Sequence, residues 1–143
     1  MYAFLNLESR PEPVTAQELT ELEEHFDLRL PEALKDYYMK YNFQSIKPVC
    51  LRAGQETFEV YGMLPLFRGP MSVDHIMEIC QNSNLFGKGC FPFAISAEGD
   101  DFVYDTYTEN IYFVRLDDPH RRKQICTGMD HFFKLLNQSV QNE

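Results

Sequence analysis

Apolar positions along this chain follow two periods, and the change from one to the other divides it. Leu19, Leu22 and Phe26 recur at helical spacing, with Glu18, Glu21, Glu23 and Glu24 on the remaining faces. Thr15 and Glu18 form a T-x-x-E capping box, and Val14 and Leu19 occupy the two positions of a hydrophobic staple. A helix is therefore expected to begin just after Thr15, its acidic side a solvated face that suits the helix dipole. Asp27-Leu28-Arg29-Leu30 breaks the pattern, and Pro31 opens a second helix. There Leu34, Tyr37, Tyr38 and Tyr41 follow an i, i+3, i+4, i+7 rhythm, which reads as core rather than a ligand cage. Asn42 is the expected left-handed stop.

Residues 1–14 read as a loose lead-in with a short edge strand at Tyr2–Leu7, and residues 43–57 show no period. Phe58–Tyr61 alternates as a strand, which Gly62 is expected to bulge and Met63–Phe67 to continue. Ser72 is placed as the cap of a short helix through Val73, Ile76, Met77 and Cys80, with Gln81–Gly89 as a loop. The period then shortens to that of strands. Residues 91–96, 101–107 and 111–116 are apolar and aromatic, and turn residues separate them at 97–100 and at Thr108-Glu109-Asn110. Pro119-His120-Arg121-Arg122-Lys123 reads as a basic turn. Thr127 with Asp130 is expected to cap a last helix carrying Met129, Phe132, Phe133, Leu135 and Leu136, fraying from Gln138. No strand–helix–strand alternation repeats. The order predicts one α+β domain over residues 1–143: an antiparallel sheet with helices packed on it, two of them N-terminal and one C-terminal.

Composition adds bulk and sign to this picture. Twelve Phe and eight Tyr supply core material and argue against disorder. A net charge of −9 opposes nucleic-acid binding, which depends on Lys and Arg neutralising phosphates, and has the wrong sign for an anionic membrane surface. It suits a basic partner, or simply solubility. The N-terminus MYAFLNLESRPEP has neither the basic region nor the apolar run of a signal peptide, so the cytoplasm is the expected compartment. No run approaches the roughly 18 apolar residues of a membrane span. The four cysteines are irregularly spaced and read as reduced, partly buried small hydrophobes.

Catalytic motifs are missing: there is no phosphate loop, no GxSxG elbow and no HExxH helix, so no metal or cofactor is expected. A Cys90–His131 couple is one that four cysteines and four histidines would supply by chance. The signal that remains is acidic. Between Phe91 and Asp118 the chain carries Glu98, Asp100, Asp101, Asp105, Glu109, Asp117 and Asp118 against Arg115 alone. The Glu98–Asp105 spacing fails the calcium-loop pattern, and a glycosidase-like pair needs separations that a sequence does not give. Asp105 is expected on the strand face of Val103 and Tyr107, where a carboxylate needs a partner or exposure. Glu98, Asp100, Asp101 and Asp105 are thus the candidate site, for binding rather than catalysis.

In order along the chain, these features resemble the SUKH superfamily, which includes fungal cell-wall-assembly regulators and many bacterial immunity proteins. The residues are the acidic helix Leu19–Phe26, Leu28-Arg29-Leu30-Pro31-Glu32 leading into Leu34–Asn42, Phe91-Pro92-Phe93, Gly99-Asp100-Asp101, Phe102–Asp105, Ile111–Val114, and the helix at Asp130–Leu136. The resemblance covers about residues 15–137, apart from the middle. Phe43-Gln44 stands where the family usually has glycines after Tyr-Asn. The resemblance implies an α+β fold without catalytic activity, and an intracellular immunity protein that binds and neutralises a cognate polymorphic or contact-delivered toxin, often a nuclease; a nuclease has to attract phosphate, so its basic active surface is one that a net charge of −9 would complement. A regulatory or scaffold interaction module is the competing implication; a small hydrolase using the carboxylates ranks below both. The oligomeric state is left open.

Overall fold

The computed structural model describes residues 2–69, 71–83 and 86–141. Helix α1 (Ala16–Phe26) starts on the capping box read from the sequence: Glu18 N donates to Thr15 Oγ1 at 3.1 Å, and Thr15 N donates to Glu18 Oε1 at 3.0 Å. Val14 and Leu19 are both buried beside it. Helix α2 (Glu32–Tyr41) follows, with Pro31 as its N-cap, and buries Leu34, Tyr37 and Tyr38.

Residues 43–57, which lack a period, nevertheless build most of a hairpin. Strands β1 (Val49–Ala53) and β2 (Glu56–Val60) pair antiparallel around Gly54. The chain then changes sheet. Gly62 makes no bulge; β3 (Gly62–Met63) leaves the ribbon and pairs with β4 (Cys90–Ile95). Strands β5 (Asp101–Asp105), β6 (Asn110–Val114) and β7 (Arg122–Thr127) complete a five-stranded antiparallel sheet in the order β3-β4-β5-β6-β7. Helix α3 (Val73–Ser83) lies between β3 and β4, and α4 (Met129–Gln141) ends the described chain. The domain is α+β, with antiparallel sheets.

Several local expectations are corrected. Tyr2–Leu7 contributes a single bridge, Leu5 to Ile46, rather than a strand. The Gln81–Gly89 loop starts later, because α3 runs through Ser83. The strand expected over 101–107 stops at Asp105, and Tyr107 falls in a turn. The basic turn is half strand: Arg122 and Lys123 begin β7, an edge strand whose charged, mostly exposed side chains hide the usual alternation. Thr127 belongs to that strand, where its hydroxyl bonds Asn110 Oδ1 at 2.8 Å and does not cap α4. Nor does Ser72 Oγ cap α3, since it is buried with no hydrogen-bond partner among the described residues. The tail expected to fray at Gln138 is helical to Gln141.

Two layers of apolar contact hold the fold. Phe132 on α4 packs against Phe93 at 5.0 Å and Phe102 at 6.0 Å. Its neighbour Phe133 stacks with Tyr2 at 4.9 Å and Tyr37 at 5.3 Å. Phe58 of the ribbon meets Phe113 of the sheet at 5.2 Å. On the opposite sheet face a smaller cluster gathers Phe86, Cys90, Val103 and Val114.

Asn42 does not take the left-handed conformation; its φ is −52°, and Phe43 takes that role at 72°. The Asn42 side chain is occupied elsewhere. Fully buried, it donates to Glu12 O and Leu66 O at 2.9 Å each and accepts from Leu66 N at 2.7 Å. One amide thus joins the lead-in, the end of α2 and the segment after β3. Asn42→Ala leaves those backbone groups without partners and is predicted to lower unfolding stability by about 2–3 kcal/mol, read from urea denaturation.

Candidate functional site

The four candidate carboxylates fall at the two ends of β5. Glu98, Asp100 and Asp101 sit at the β4–β5 turn, which Gly99 makes possible at φ 88°. Glu98 is exposed. Asp100 is half-buried, and its Oδ1 accepts from Leu116 N at 3.1 Å while its backbone N donates to Ser96 Oγ at 3.2 Å. Asp100 therefore ties the turn to the end of β6. Glu98 lines a groove of about 470 Å³ with Glu56 and Glu59, and there Arg115, Arg121 and Lys123 dilute the acidity. Lys123 pairs with Glu56 at 2.6 Å, Arg115 with Asp117 at 2.9 Å and Arg121 with Asp118 at 3.3 Å.

Asp101 is different. Its cross-strand neighbours are Ile95 and Val114, and it is only 6% exposed. Burial first, then the neighbouring Asp100 charge, pushes its carboxyl from the ordinary 3.8 up to about 7. At neutral pH it is a partly protonated group and a poor partner for a cation.

Asp105, at the far end of β5, shares a sheet side with Asp101 and Val103, since strand side chains alternate. Its Oδ1 accepts from Tyr107 N at 2.9 Å and Thr108 N at 3.4 Å. That Asx turn, with Glu109 at φ 66°, bends the chain into β6 and leaves Tyr107 65% exposed. The Tyr107 ring lies on Gly89, where an added Cβ would fall 2.5 Å from the ring. The glycine makes room for it.

Tyr107 borders a groove of about 720 Å³ between the β5–β6 turn and the α1–α2 junction. Its other walls carry Glu23, Glu24, Asp27 and Glu32 against Arg29 and Lys35. Glu23 is structural: its Oε2 accepts from Leu30 N at 2.8 Å and its Oε1 lies 3.9 Å from Lys35. Lys35 also pairs with Glu32 at 3.1 Å. Glu24 and Asp27 have no ion-pair partner among the described residues. Of these, Glu23 and Glu24 read in the sequence as a solvated face, Asp27 as part of the break after the first helix and Glu32 as part of the entry into the second. The break of pattern at Asp27 was the one local sign of the junction, which the structure turns through Asp27 at φ 52°.

The Cys90–His131 couple is not formed. Cys90 Sγ lies 3.8 Å from Arg122 Nη1, and burial raises its thiol pKa, whereas His131 is exposed on α4. Arg122, read as part of a solvated turn, donates to Phe86 O at 2.9 Å and lies over the Tyr112 ring at 5.5 Å. Among the described residues no helix is long and apolar enough to cross a membrane.

The chain is thus an α+β domain whose exposed carboxylates gather along two grooves. The SMI1 / KNR4 family (SUKH-1) model matches residues 13–135. The chain belongs to that family. No curated protein matches its sequence.

The Asp101 environment has a consequence for stability. Its raised folded pKa means that the native state holds a proton the unfolded chain has lost, so its contribution is intact below about pH 4 and is lost as pH rises towards 7 and beyond. The full difference is worth about 4 kcal/mol. Asp101→Asn is predicted to gain stability relative to the native chain by about 2–4 kcal/mol between pH 4 and pH 8, measured by urea unfolding at both pH values.

Proposed function

We propose that this protein is a non-catalytic, cytoplasmic immunity protein that binds and neutralises a cognate toxin delivered into the cell. The partner is a basic domain, and a nuclease fits best because its active surface has to attract phosphate. The observation that carries the proposal is the acidic groove beside Tyr107, where Glu24 and Asp27 stand without ion-pair partners among the described residues, next to a large exposed aromatic. An exposed tyrosine ringed by complementary charge is the arrangement from which interface anchors are made. Glu98 and Asp100 add carboxylates at the other end of β5, where Arg115, Arg121 and Lys123 offset them, and Asp105 serves the groove by shaping the turn that presents Tyr107. Asp101 contributes chiefly to the turn's environment. Family membership supports an interaction role and a net charge of −9 supports a basic partner.

The test is capture from native cells with tagged protein at moderate salt, followed by co-expression with the captured partner. One dominant partner with a toxic domain, whose lethality co-expression suppresses, is expected. Tyr107→Ala and Glu24→Lys are each predicted to weaken that complex about tenfold or more, read by calorimetry. Several weaker partners without toxicity would move the protein to the regulatory or scaffold class. A tight complex whose interface omits both the Tyr107 groove and Glu98–Asp100 would overturn the assignment of the surface.

A further inference from the structure

The β1–β2 ribbon carries a strand edge that the rest of the fold leaves open. Its two strands turn at Gly54 through a two-residue loop, with Ala53 opposite Glu56. In such a hairpin the closing pair exchanges backbone hydrogen bonds, and bonded and non-bonded pairs then alternate along the ladder. Ala53–Glu56, Leu51–Phe58 and Val49–Val60 are thus the bonded pairs. Thr57 and Glu59 turn their N–H and C=O groups the other way, off the free edge of β2. Tyr61 fixes that direction, since two residues further along the same edge its N–H donates to Ile95 O at 2.8 Å.

Before that bond the edge and the five-stranded sheet separate. β2 pairs with β1 alone, and the outward backbone groups of Thr57 and Glu59 have no hydrogen-bond partner among the described residues. Both residues line the groove of about 470 Å³, together with Ser96, Phe113 and Arg115. The ionic side chains of this groove balance, with Glu56, Glu59 and Glu98 against Arg115, Arg121 and Lys123, so charge selects no ion here. The groove offers instead two backbone donors and two acceptors at strand spacing, about 7 Å from Thr57 to Glu59. Beside them, the half-buried Phe113 ring lies against Phe58 on the core side.

We propose that this edge takes up an extended segment of a partner protein as an added strand, whose backbone bonds the N–H and C=O groups of Thr57 and Glu59. Donors and acceptors at these intervals are matched by another extended backbone. The added strand runs antiparallel to β2, continuing the pairing that β3 makes with β4 on the same edge. Its side chains alternate. Those on the side of Phe58 and Phe113 are apolar, and those sharing the solvent side with Thr57 and Glu59 are polar. Ser96 and Glu98 of the β4–β5 turn and Arg115 after β6 flank the edge, which suits a single chain rather than the sheet of a second copy. Nothing in this requires the partner to be a toxin.

The experiment is an NMR titration of the full chain with the capped peptide acetyl-Thr-Val-Thr-Val-Thr-amide. Its control is the same peptide N-methylated at the threonines, which keeps the side chains and loses the donors. Saturable shifts of the Thr57 and Glu59 amide signals are expected with the first peptide, and binding weaker by about tenfold or more with the second. Glu59→Pro removes a donor that β1 does not use, so it is predicted to keep a cooperative urea transition and to weaken binding about tenfold. Glu59→Ala keeps that donor and is predicted to bind within about twofold of the native chain. Equal binding of the two peptides, no saturable shift, or an equal loss in Glu59→Ala and Glu59→Pro would overturn the proposal. So would shifts of the two amides that follow protein concentration without peptide, which would assign the edge to a second copy. The N-methyl comparison stands whether or not Glu59→Pro folds.

Discussion

Two adjacent side chains on α4 settle how the layers of this domain sit on one another. Successive helix positions point about 100° apart, so Phe132 and Phe133 address different neighbours from one rigid element. Phe132 goes into the sheet against Phe93 and Phe102, while Phe133 joins the stack of Tyr2, Phe4 and Tyr37. The N-terminal helix pair and the five-stranded sheet are therefore tied through a single turn of helix. The ribbon is added by the Phe58–Phe113 contact, and the Asn42 amide fixes the loops between these bodies. Moving either phenylalanine would shift both layers at once, since cores of this density do not deform independently.

The sheet then decides what its carboxylates can do. Phe102 and Tyr104 turn to the main core, so Asp101, Val103 and Asp105 share the other side. The smaller Phe86–Val103–Val114 cluster has too little apolar surface to cover that whole side. Asp101 falls within an apolar row and Asp105 at its open end. Identical chemistry thus separates by position: one carboxyl is pushed towards its neutral form, and the other becomes the acceptor of a turn. Glu98 stays exposed at one end of β5, and near the other Glu24 and Asp27 are exposed with no ion-pair partner among the described residues.

Most of the helical half was legible in the sequence because its signals are local. The Thr15–Glu18 box and the Leu34–Tyr41 rhythm each need only one turn of helix to express themselves, and both form as read. The central strands β4 to β6 were legible for a related reason, as turns at Gly99 and Glu109 bracket apolar runs. What escaped was non-local. β7 has few inward side chains, and β1, although Val49, Leu51 and Ala53 alternate inward, is only five residues long; both form against a partner strand. The change of sheet at Tyr61–Gly62 is decided by Ile95, far along the chain, whose carbonyl accepts from Tyr61 N at 2.8 Å. For the site, acidity was legible but its grouping was not. The groove unites the end of α1 with the β5–β6 turn, residues some eighty positions apart that no spacing rule connects.

Besides Ser72 Oγ and the left-handed Asp27, Phe67 and Glu109, three features break local rules: the Tyr37 hydroxyl, without a partner among the described residues, Asp101 in an apolar row, and Phe43 at a φ of 72°. Each costs stability that a simpler residue would avoid, and such violations are expected where function rather than folding chose the side chain. Phe43 separates from the other two. Its conformation is imposed from the preceding residue, because Asn42 is held by Glu12 and Leu66 while α2 has to end. The ring then rests against Gly69, so packing accounts for it. Tyr37 returns stability through its ring, stacked on Phe133 within the main core, and Asp101 lies on a strand paired on both sides. At both positions the cost of the polar atom is carried by the packing and pairing of the same residue, which a stability made of large opposing contributions allows.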